Sequence, residues 1–380
     1  MIPYGRQDIN QADIDAVVDV LRSNFLTQGP ISPRFEDAVA EHCSVAHALA
    51  VNSATSALHI ACMALDLGPG DLLWTVPNTF VASANVGVYC GADVDFVDID
   101  AGTYCMSVVA LRAKLEQADA AGRLPKVVIP VHFAGQSCDM AGIGALAADY
   151  GFRVIEDASH AIGGRYRDAP VGDCAYSDIC VFSFHPVKII TTAEGGLVTT
   201  QDAHLAERMN MHRSHGVTRD PALMKNAPEG GWYYEMVTLG YNYRMTEMQA
   251  ALGLSQMDRL AEFVAARNRL AARYDSLLAD LPLTRPAQLA DSYSAYHLYP
   301  IQVKNRARTF AALRDAGLGV NVHYIPVHLH PFWAARGFER GQFPNAESYY
   351  DHAISIPLYA GLTEGDQDMV AGAITKALDG

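Results

Sequence analysis

The sequence has few basic residues for its length. Its 380 residues include 28 lysines and arginines against 42 aspartates and glutamates, a formal net charge of -14. Nonspecific binding of nucleic acid or of an anionic membrane needs a positive surface field, so this balance argues against both. A local basic pocket for an anionic substrate remains compatible with it.

Cysteine motifs and long apolar runs are also missing. The seven cysteines are scattered without a C-x-x-C pair, so the sequence indicates neither a zinc knuckle nor a disulfide framework. We expect reduced thiols and a cytoplasmic location. No apolar run approaches the roughly 20 residues that cross a bilayer. The start, MIPYGRQDIN, lacks the pattern of a signal peptide, so we expect a soluble protein that does not bind membranes.

Several ligand-binding motifs are absent. The chain has no phosphate-binding G-x-x-x-x-G-K-[ST], no G-x-G-x-x-G after a strand and no H-E-x-x-H. His323, His328 and His330 lie close together, but no cysteine or acidic residue interleaves them, and Pro326 and Pro331 interrupt their spacing. We therefore expect no metal there, and substrate contact or packing instead.

Strand and helix patterns alternate through the first 250 residues. The strand patterns are HALAVN, DLLWTVP, ADVDFVDID, KVVIPVHFAG, FRVIEDAS and DICVFSFHP, and helical patterns such as SATSALHIACMAL and MAGIGALAADYG separate several of them. This alternation predicts crossover connections and a mainly parallel sheet. We expect a large α/β domain over residues 1–250. Residues 251–380 are expected to form a connecting helix and a smaller α+β domain.

Helix starts can be read from local capping patterns. Asn10 with Asp13, and Thr246 with Gln249, have the spacing of capping boxes. Ser32, followed by proline, is expected to cap a second helix. The helical pattern after Thr246 continues to about residue 281, and a helix of that length is expected to kink or to connect the domains.

The first functional signal is VNSATSALHIA. Small hydroxyl residues (Ser53, Thr55 and Ser56) end a strand and open a helix, where backbone N–H groups and the helix dipole favour a phosphate. Simple capping by serine or threonine explains the same pattern equally well. Alone, this motif does not decide between a phosphate site and a cap.

The second signal is VIEDASH. Asp157 follows an apolar strand, with His160 three residues later. A carboxylate there can keep a pyridinium nitrogen protonated, which makes the ring an electron sink. An acidic helix cap is the alternative interpretation.

The third signal is VFSFHPVKIITTAEGG, in which Lys188 follows the next strand pattern. An amine of lowered pKa can form a Schiff base and then carry a proton, and Ser183 can add a hydroxyl to a phosphate site. A lone lysine is more often simply solvated. Together, however, the three signals supply a phosphate site, a pyridinium partner and an imine-forming amine, which is the set that pyridoxal 5'-phosphate (PLP) requires.

Longer motifs resemble a known family. LTQGP, NSATSALHIA, VPNTFVASAN, VIEDASHAIGG, FSFHPVKIITTAEGG, RSHG, GYNYRMTEMQAALG and SIPLYAGLTEGDQD are similar to segments of the DegT/DnrJ/EryC1/StrS sugar aminotransferases. The resemblance covers nearly the whole chain. It implies the fold-type I, aspartate aminotransferase-like architecture of PLP-dependent transferases.

The resemblance also implies site residues. Lys188, Asp157 and His160 would be catalytic. The cofactor would contact Ala54, Thr55, Ser56, Phe80, Asp157, His160, Ser183 and Lys188, with Asn242 reaching it from the other subunit of a homodimer with shared active sites. Phe80 stands where the family often has tryptophan. No arginine can be assigned to the donor carboxylate, and the substrate candidates are Thr27, His185, Arg213, His215, Tyr324 and His328.

Within the family, the lysine segment, RSHG and LHPFWAARGF most resemble the pseudaminic-acid pathway transaminases. This implies amination of C4 of a UDP-linked 4-keto-6-deoxy-N-acetylhexosamine by L-glutamate. Another nucleotide-4-ketosugar aminotransferase, of the 4-amino-4-deoxyarabinose or dTDP-amino-sugar type, is the alternative. A dehydratase of the same fold typically has histidine in place of Lys188, and a regulator without chemistry would not need Lys188, Asp157 and Ser183.

Overall fold

A computed structural model describes residues 1–379 of the chain. The strands, numbered in chain order, are β1 Ile2–Pro3, β2 His47–Val51, β3 Leu72–Thr75, β4 Asp93–Phe96, β5 Val127–Ile129, β6 Arg153–Asp157, β7 Arg165–Tyr166, β8 Ala169–Pro170, β9 Ile179–Ser183, β10 Gly196–Thr200, β11 Val217–Thr218, β12 Glu235–Met236, β13 Ser292–Tyr293, β14 Tyr299–Gln302, β15 Leu318–Gly319 and β16 Ala353–Ile356. The helices are α1 Gln11–Arg22, α2 Ile31–Cys43, α3 Ala54–Ala64, α4 Ala82–Tyr89, α5 Val108–Ala120, α6 Met140–Tyr150, α7 Ala203–Arg213, α8 Glu247–Met257, α9 Leu260–Leu277, α10 Arg306–Asp315, α11 Pro331–Ala334, α12 Pro344–His352 and α13 Glu364–Asp379.

A seven-stranded sheet forms the centre of the molecule. Its strand order is β2-β10-β9-β6-β5-β3-β4. The pairs from β9 to β4 are parallel, as the alternation of strands and helices predicts, and the central strands are buried. Strand β10, which the alternation did not predict, lies antiparallel to both β2 and β9. Strands β2, β9 and β6 therefore end at one edge of the sheet, where β10 begins.

Local capping agrees with the sequence at two of the three helix starts for which a cap was predicted. Helix α1 has the Asn10–Asp13 capping box, and α8 has the Thr246–Gln249 box. The predicted cap of the second helix is wrong, because α2 already begins at Ile31. There Glu247, which belongs to helix α8, accepts hydrogen bonds from the backbone N–H groups of Ile31 and Ser32, at 2.6 and 3.2 Å. Its carboxylate therefore caps the start of α2.

The long helical pattern after Thr246 is divided, as its length predicted. Helix α8 ends at Met257 and α9 begins at Leu260. Helices α9, α10 and α13 then pack with the antiparallel pair of β14 and β16 around a separate apolar cluster. Strand β1 pairs in parallel with β15, so the start of the chain joins this C-terminal layer.

Helix α1 leaves part of its apolar stripe exposed. Ile14 is 48% exposed and Leu21 is 56% exposed, and Phe25, just beyond the helix, is 53% exposed. These three side chains are therefore not core residues in the single chain. No helix within residues 1–379 combines the length and apolar character that crossing a membrane would require.

Candidate active site

The three sequence signals meet at one edge of the central sheet. Gly196, at the start of β10, is paired with Val51 at the end of β2 and with Ser183 at the end of β9. Asp157, at the end of β6, pairs with Val181 of β9. A cavity of about 480 Å³ opens at this edge, where open α/β sheets bind their ligands.

Lys188 contributes its amine to the cavity wall. It follows β9 in a tight turn in which its backbone N–H donates to the carbonyl of His185 at 2.9 Å. Among residues 1–379, no carboxylate lies within 4.0 Å of its Nζ and no hydrogen bond engages it. Burial lowers the pKa of Lys188 to about 8, and the charge of Asp157 opposes part of that shift. The amine is thus free to react.

Asp157 is held in place by two donors. The Ser83 hydroxyl, on α4, donates to Oδ2 at 2.6 Å, and the backbone N–H of Ser159 donates to Oδ1 at 3.1 Å. Asp157 is 5% exposed and also lines the cavity. Hydrogen bonds to both oxygens fix the carboxylate and leave lone pairs for a ligand in the cavity.

His160 is a neutral ring at the cavity wall. Its Nδ1 accepts from the backbone N–H of Ala134 at 3.3 Å, so its Nε2 carries the proton and donates to the hydroxyl of Tyr324 at 3.1 Å. Burial, followed by the charge of Lys188, holds the pKa of His160 well below its usual range. The ring is therefore uncharged, and its two hydrogen bonds fix its orientation.

The start of helix α3 forms one end of the cavity. The Ser53 hydroxyl accepts from the Ser56 backbone N–H at 3.1 Å, and the Ser56 hydroxyl donates to Asn52 at 2.7 Å. The capping interpretation is thus confirmed, and Ala54 and Thr55 line the cavity. The Ser56 hydroxyl is engaged with Asn52 and does not line the cavity.

Gly196 lies against the start of this helix. A Cβ on Gly196 would come within 2.5 Å of the backbone nitrogen of Ala54 and of the carbonyl carbon of Ser53. Real Cβ atoms do not approach backbone so closely, so only glycine permits this contact. The close approach of β10 to α3 holds Ser183 and the helix start on the same side of the cavity.

The other predicted contacts divide into two groups. Phe80, His185 and Tyr324 line the cavity, with Phe80 59% exposed. Thr27, Arg213, His215, Asn242 and His328 do not line it within the single chain.

Four of this second group have partners elsewhere, among them Asn242, whose backbone forms a β-bridge with Ser214. Thr27 forms a β-bridge with Thr246, and Arg213 forms an ion pair with Glu36. His328 is buried and bonded through Nε2 to Glu347 at 2.9 Å. His215 and Asn242 are exposed.

Comparisons with known proteins match the whole chain. The model of the DegT/DnrJ/EryC1/StrS aminotransferase family matches residues 7–375. The chain belongs to this family. The spore coat polysaccharide biosynthesis protein SpsC of Bacillus subtilis is 38% identical over 388 residues, which cover 100% of this chain and 97% of SpsC.

Solved structures of aminotransferases have the same fold. PseC of Helicobacter pylori, an aminotransferase of pseudaminic acid biosynthesis, is 31% identical with a TM-score of 0.91, over 100% of this chain and 99% of PseC. Spr1654 of Streptococcus pneumoniae, a candidate sugar aminotransferase solved in its PMP form, is 29% identical with a TM-score of 0.91, over 100% and 99% of the two chains. The fold is that of the PLP-dependent transferases of fold type I, as expected. The chain is a sugar aminotransferase.

PLP is the cofactor of this family, and the cavity fits it. The free amine of Lys188, the oriented carboxylate of Asp157 and the exposed start of α3 lie around one space. The contact of Gly196 with Ala54 leaves that helix start open to an anion. Amine, carboxylate and anion site are the three groups that PLP needs from a protein.

Sequence reasoning missed several residues that line the cavity or lie directly behind its wall. Ser83, which donates to Asp157, is the serine of the helical pattern VASAN, and nothing in that pattern indicates its target. Tyr4 reaches the cavity only because β1 pairs with β15. The remaining missed residues include Glu194, His297, Asn321 and His323. No local motif marks them as cavity residues, although His323 belongs to the histidine-rich segment that was considered as a metal site.

Proposed function

We propose that this enzyme transfers the amino group of L-glutamate to C4 of a UDP-linked 4-keto-6-deoxy-N-acetylhexosamine. The product is UDP-4-amino-4,6-dideoxy-N-acetyl-β-L-altrosamine, an intermediate of pseudaminic acid biosynthesis. The observation that carries the proposal is the free Lys188 amine facing Asp157 in a chain that matches PseC over its full length. The lysine segment and the LHPFWAARGF segment add sequence support.

Lys188 has two tasks in this reaction. When bound, PLP supplies a conjugated ring that accepts the electron pair left on the substrate carbon. Lys188 would hold the cofactor through its amine, and the same amine would take up and return the proton at the reacting carbon of the substrate. A pKa of about 8 suits both tasks, because it leaves a reactive minority of the amine unprotonated near neutral pH.

Asp157 is the partner of the ring nitrogen. Its carboxylate keeps a proton on that nitrogen, and the Ser83 hydroxyl at 2.6 Å holds it in the required orientation. His160 and Phe80, both on the cavity wall, would enclose the ring. The neutral state of His160 suits this position, since it adds no charge beside Lys188.

The phosphate would bind at the start of α3. Ala54, Thr55 and Ser183 line this end of the cavity, and their backbone N–H groups and hydroxyls would bind the phosphate. Ser56, named from the sequence, contributes its backbone and its place in the helix turn rather than its hydroxyl, which is bonded to Asn52.

A homodimer with shared sites completes the proposal. Asn242 is exposed and outside its own cavity, so it is free to reach the phosphate site of a partner subunit. The exposed apolar residues of α1, Ile14 and Leu21, supply surface for association. His185 and Tyr324 are proposed as substrate contacts within the chain, and His215 as a contact across the dimer.

The sugar can be tested directly. Purified enzyme with bound PLP is incubated with L-glutamate and with a panel of UDP- and dTDP-linked 4-ketosugars, and the amino sugar formed is identified by mass spectrometry and NMR. We expect the pseudaminic-pathway ketosugar to react fastest and the Lys188→Ala variant to give no product. Turnover by Lys188→Ala at the wild-type rate would contradict the role of the lysine.

A second candidate has its own support. SpsC, at 38% identity, is a protein of spore coat polysaccharide biosynthesis, which favours a different nucleotide-4-ketosugar as the acceptor. The same panel separates the candidates. Preference for a 4-ketoarabinose or a dTDP-linked ketosugar would replace the pseudaminic assignment and leave the aminotransferase chemistry unchanged.

A further inference from the structure

Three buried histidines line the same cavity. His160, His297 and His323 are 5%, 4% and 6% exposed. The rings of His160 and His297 lie 4.4 Å apart between centroids. Only His160 was identified from the sequence, so the other two raise the question of what their ring nitrogens bind.

Their hydrogen bonds distinguish the three rings. Both nitrogens of His160 are engaged, by Ala134 and Tyr324. Both nitrogens of His323 are engaged as well, Nδ1 by the Ser355 hydroxyl at 2.9 Å and Nε2 by the Asn321 amide at 3.4 Å. The ring of His297 makes no hydrogen bond within residues 1–379, and its Nδ1 is buried without a partner. Buried polar groups normally have hydrogen-bond partners, so a buried imidazole without one on a cavity wall is a candidate to form a hydrogen bond with a ligand.

The backbone of His297 is fixed in position. The Arg267 guanidinium donates to the carbonyls of Tyr296 and His297, at 3.1 and 3.4 Å. Gly135 packs so closely that a Cβ there would lie 2.9 Å from the backbone nitrogen of His297. Burial, and then the charge of Lys188, holds the pKa of His297 well below its usual range, so the ring is neutral. One ring nitrogen therefore donates and the other accepts.

The charge of the cavity wall limits how substrates are held. Within residues 1–379 no arginine lines the cavity, and its lysine is Lys188. The two substrates of the proposed reaction differ in charge beside the reacting carbon. In the amino acid that carbon carries a carboxylate, and in the sugar the neighbouring carbon carries a hydroxyl. A fixed arginine would be left without its anion when the sugar binds, at a cost in desolvation. A neutral imidazole can bond either group.

We propose that His297 forms a hydrogen bond with the oxygen substituent next to the reacting carbon in both half-reactions. That substituent is the α-carboxylate of the amino donor and the hydroxyl beside the ketone of the sugar. This inference rests on the proposed function in one respect, the use of an α-amino acid and a ketosugar as substrates. It assigns His297 a role in substrate selection and leaves the covalent chemistry to Lys188.

A pair of donors tests the contact. L-Glutamate and 4-aminobutyrate differ only by the α-carboxylate, and each half-reaction is followed from the absorbance of the bound cofactor. We expect His297→Phe to lower kcat/KM for L-glutamate about tenfold, as for the loss of one hydrogen bond to a charged group, with little effect on 4-aminobutyrate. His297→Asn, which keeps a donor, should restore part of the loss. An equal loss for both donors, or no loss, would overturn the proposal.

An equilibrium measurement provides a readout that does not depend on turnover. Glutarate and butyrate differ by one carboxylate and do not react, and their dissociation constants are measured from the shift they cause in the cofactor spectrum. His297→Phe should weaken glutarate about tenfold and leave butyrate unchanged. A parallel loss for both acids would count against the contact, and so would unchanged binding of glutarate.

Two controls keep the outcomes separate. His42 also has a buried ring nitrogen without a partner, but it lies on α2 outside the cavity wall, so His42→Phe should leave both ratios unchanged. If the wild type does not use L-glutamate, the proposed donor is wrong. The contact of His297 is then tested with L-aspartate and β-alanine, which differ in the same carboxylate.

Discussion

The Ser83 hydroxyl donates a hydrogen bond to Oδ2 of Asp157 across a distance of 2.6 Å. Ser83 is fully buried in helix α4, and Asp157 ends strand β6, so the bond joins two layers of the fold. The Thr79 hydroxyl lies 3.0 Å from that of Ser83 and continues the chain of polar groups. The carboxylate that we propose as the cofactor's partner is therefore oriented by a helix that contributes no charge.

Replacement of Ser83 by alanine should weaken the hold on the cofactor. Removing a hydrogen bond to a buried carboxylate costs about 1.5–3 kcal/mol, so we expect PLP affinity to fall about tenfold or more. The measurement is a PLP titration of cofactor-free protein by absorbance. Ser83→Thr, which keeps the hydroxyl, and Ser137→Ala, a buried serine whose hydroxyl bonds only a backbone carbonyl, serve as comparisons. Unchanged PLP affinity in Ser83→Ala would show that Asp157 does not need this donor.

The pKa of Lys188 predicts how capture of PLP depends on pH. Burial lowers this pKa to about 8, so below pH 8 the amine is mostly protonated and unreactive. The rate at which cofactor-free protein binds PLP should rise through pH 8 and level off above it. Free Nα-acetyl-lysine, with a pKa of about 10.4, provides the reference and should keep gaining reactivity to about pH 10.

The Asp157→Asn variant tests the direction in which the charge of Asp157 shifts the pKa of Lys188. The negative charge of Asp157 raises the pKa of Lys188 against the effect of burial. Its removal should therefore move the midpoint of the pH profile below that of the wild type. A midpoint near 10 in the wild type, or an upward shift in Asp157→Asn, would contradict the environment described for Lys188.

Gly196→Ala should disturb the phosphate end of the cavity. The added Cβ would come within 2.5 Å of backbone atoms of Ser53 and Ala54, which cannot rotate away as a side chain can. Overpacking of this kind costs about 1–3 kcal/mol, and we expect a lower melting temperature together with weaker PLP binding. Gly372→Ala in helix α13 meets nothing within 4 Å and is the matched control, with equal or slightly higher stability. Normal PLP affinity in Gly196→Ala would indicate that the helix start does not bind the phosphate.

Shared active sites predict complementation between two inactive chains. Lys188→Ala removes the amine of one site, and Asn242→Ala removes the proposed contact to the partner's site. In a mixed dimer both defects fall in the same site, and the other site is intact. Co-expression of the two variants at equal levels should therefore restore about one quarter of wild-type activity, because half of the dimers are mixed.

The contrary result is equally clear. If each site uses Asn242 of its own chain, every site in a mixed dimer carries one defect, and no activity beyond that of the separate variants returns. Size-exclusion chromatography with light scattering on the same preparations gives the oligomeric state. A monomer with full activity would rule out sharing.

Motifs that depend on neighbouring residues could be predicted from the sequence. The capping boxes at Asn10 and Thr246 are set by side chains three residues apart, and both were correctly predicted. The alternation of strands and helices predicted a mainly parallel sheet for the same reason. The predicted cap at Ser32 was wrong because Glu247, from helix α8, satisfies that helix start instead.

The sequence by itself determined which groups could do the chemistry. Lys188, Asp157 and the serine-rich start of α3 each follow an apolar strand pattern, and parallel strands bring such ends to one edge. Tertiary structure decided how those groups are held. The antiparallel insertion of β10 brings Gly196 against Ala54, and α4 presents Ser83 to Asp157. Among residues 1–379, the fold leaves the ring of His297 at the cavity wall without a hydrogen-bond partner. These contacts join residues far apart in the chain, so they depend on the packing of whole elements, which local periodicity and capping do not encode.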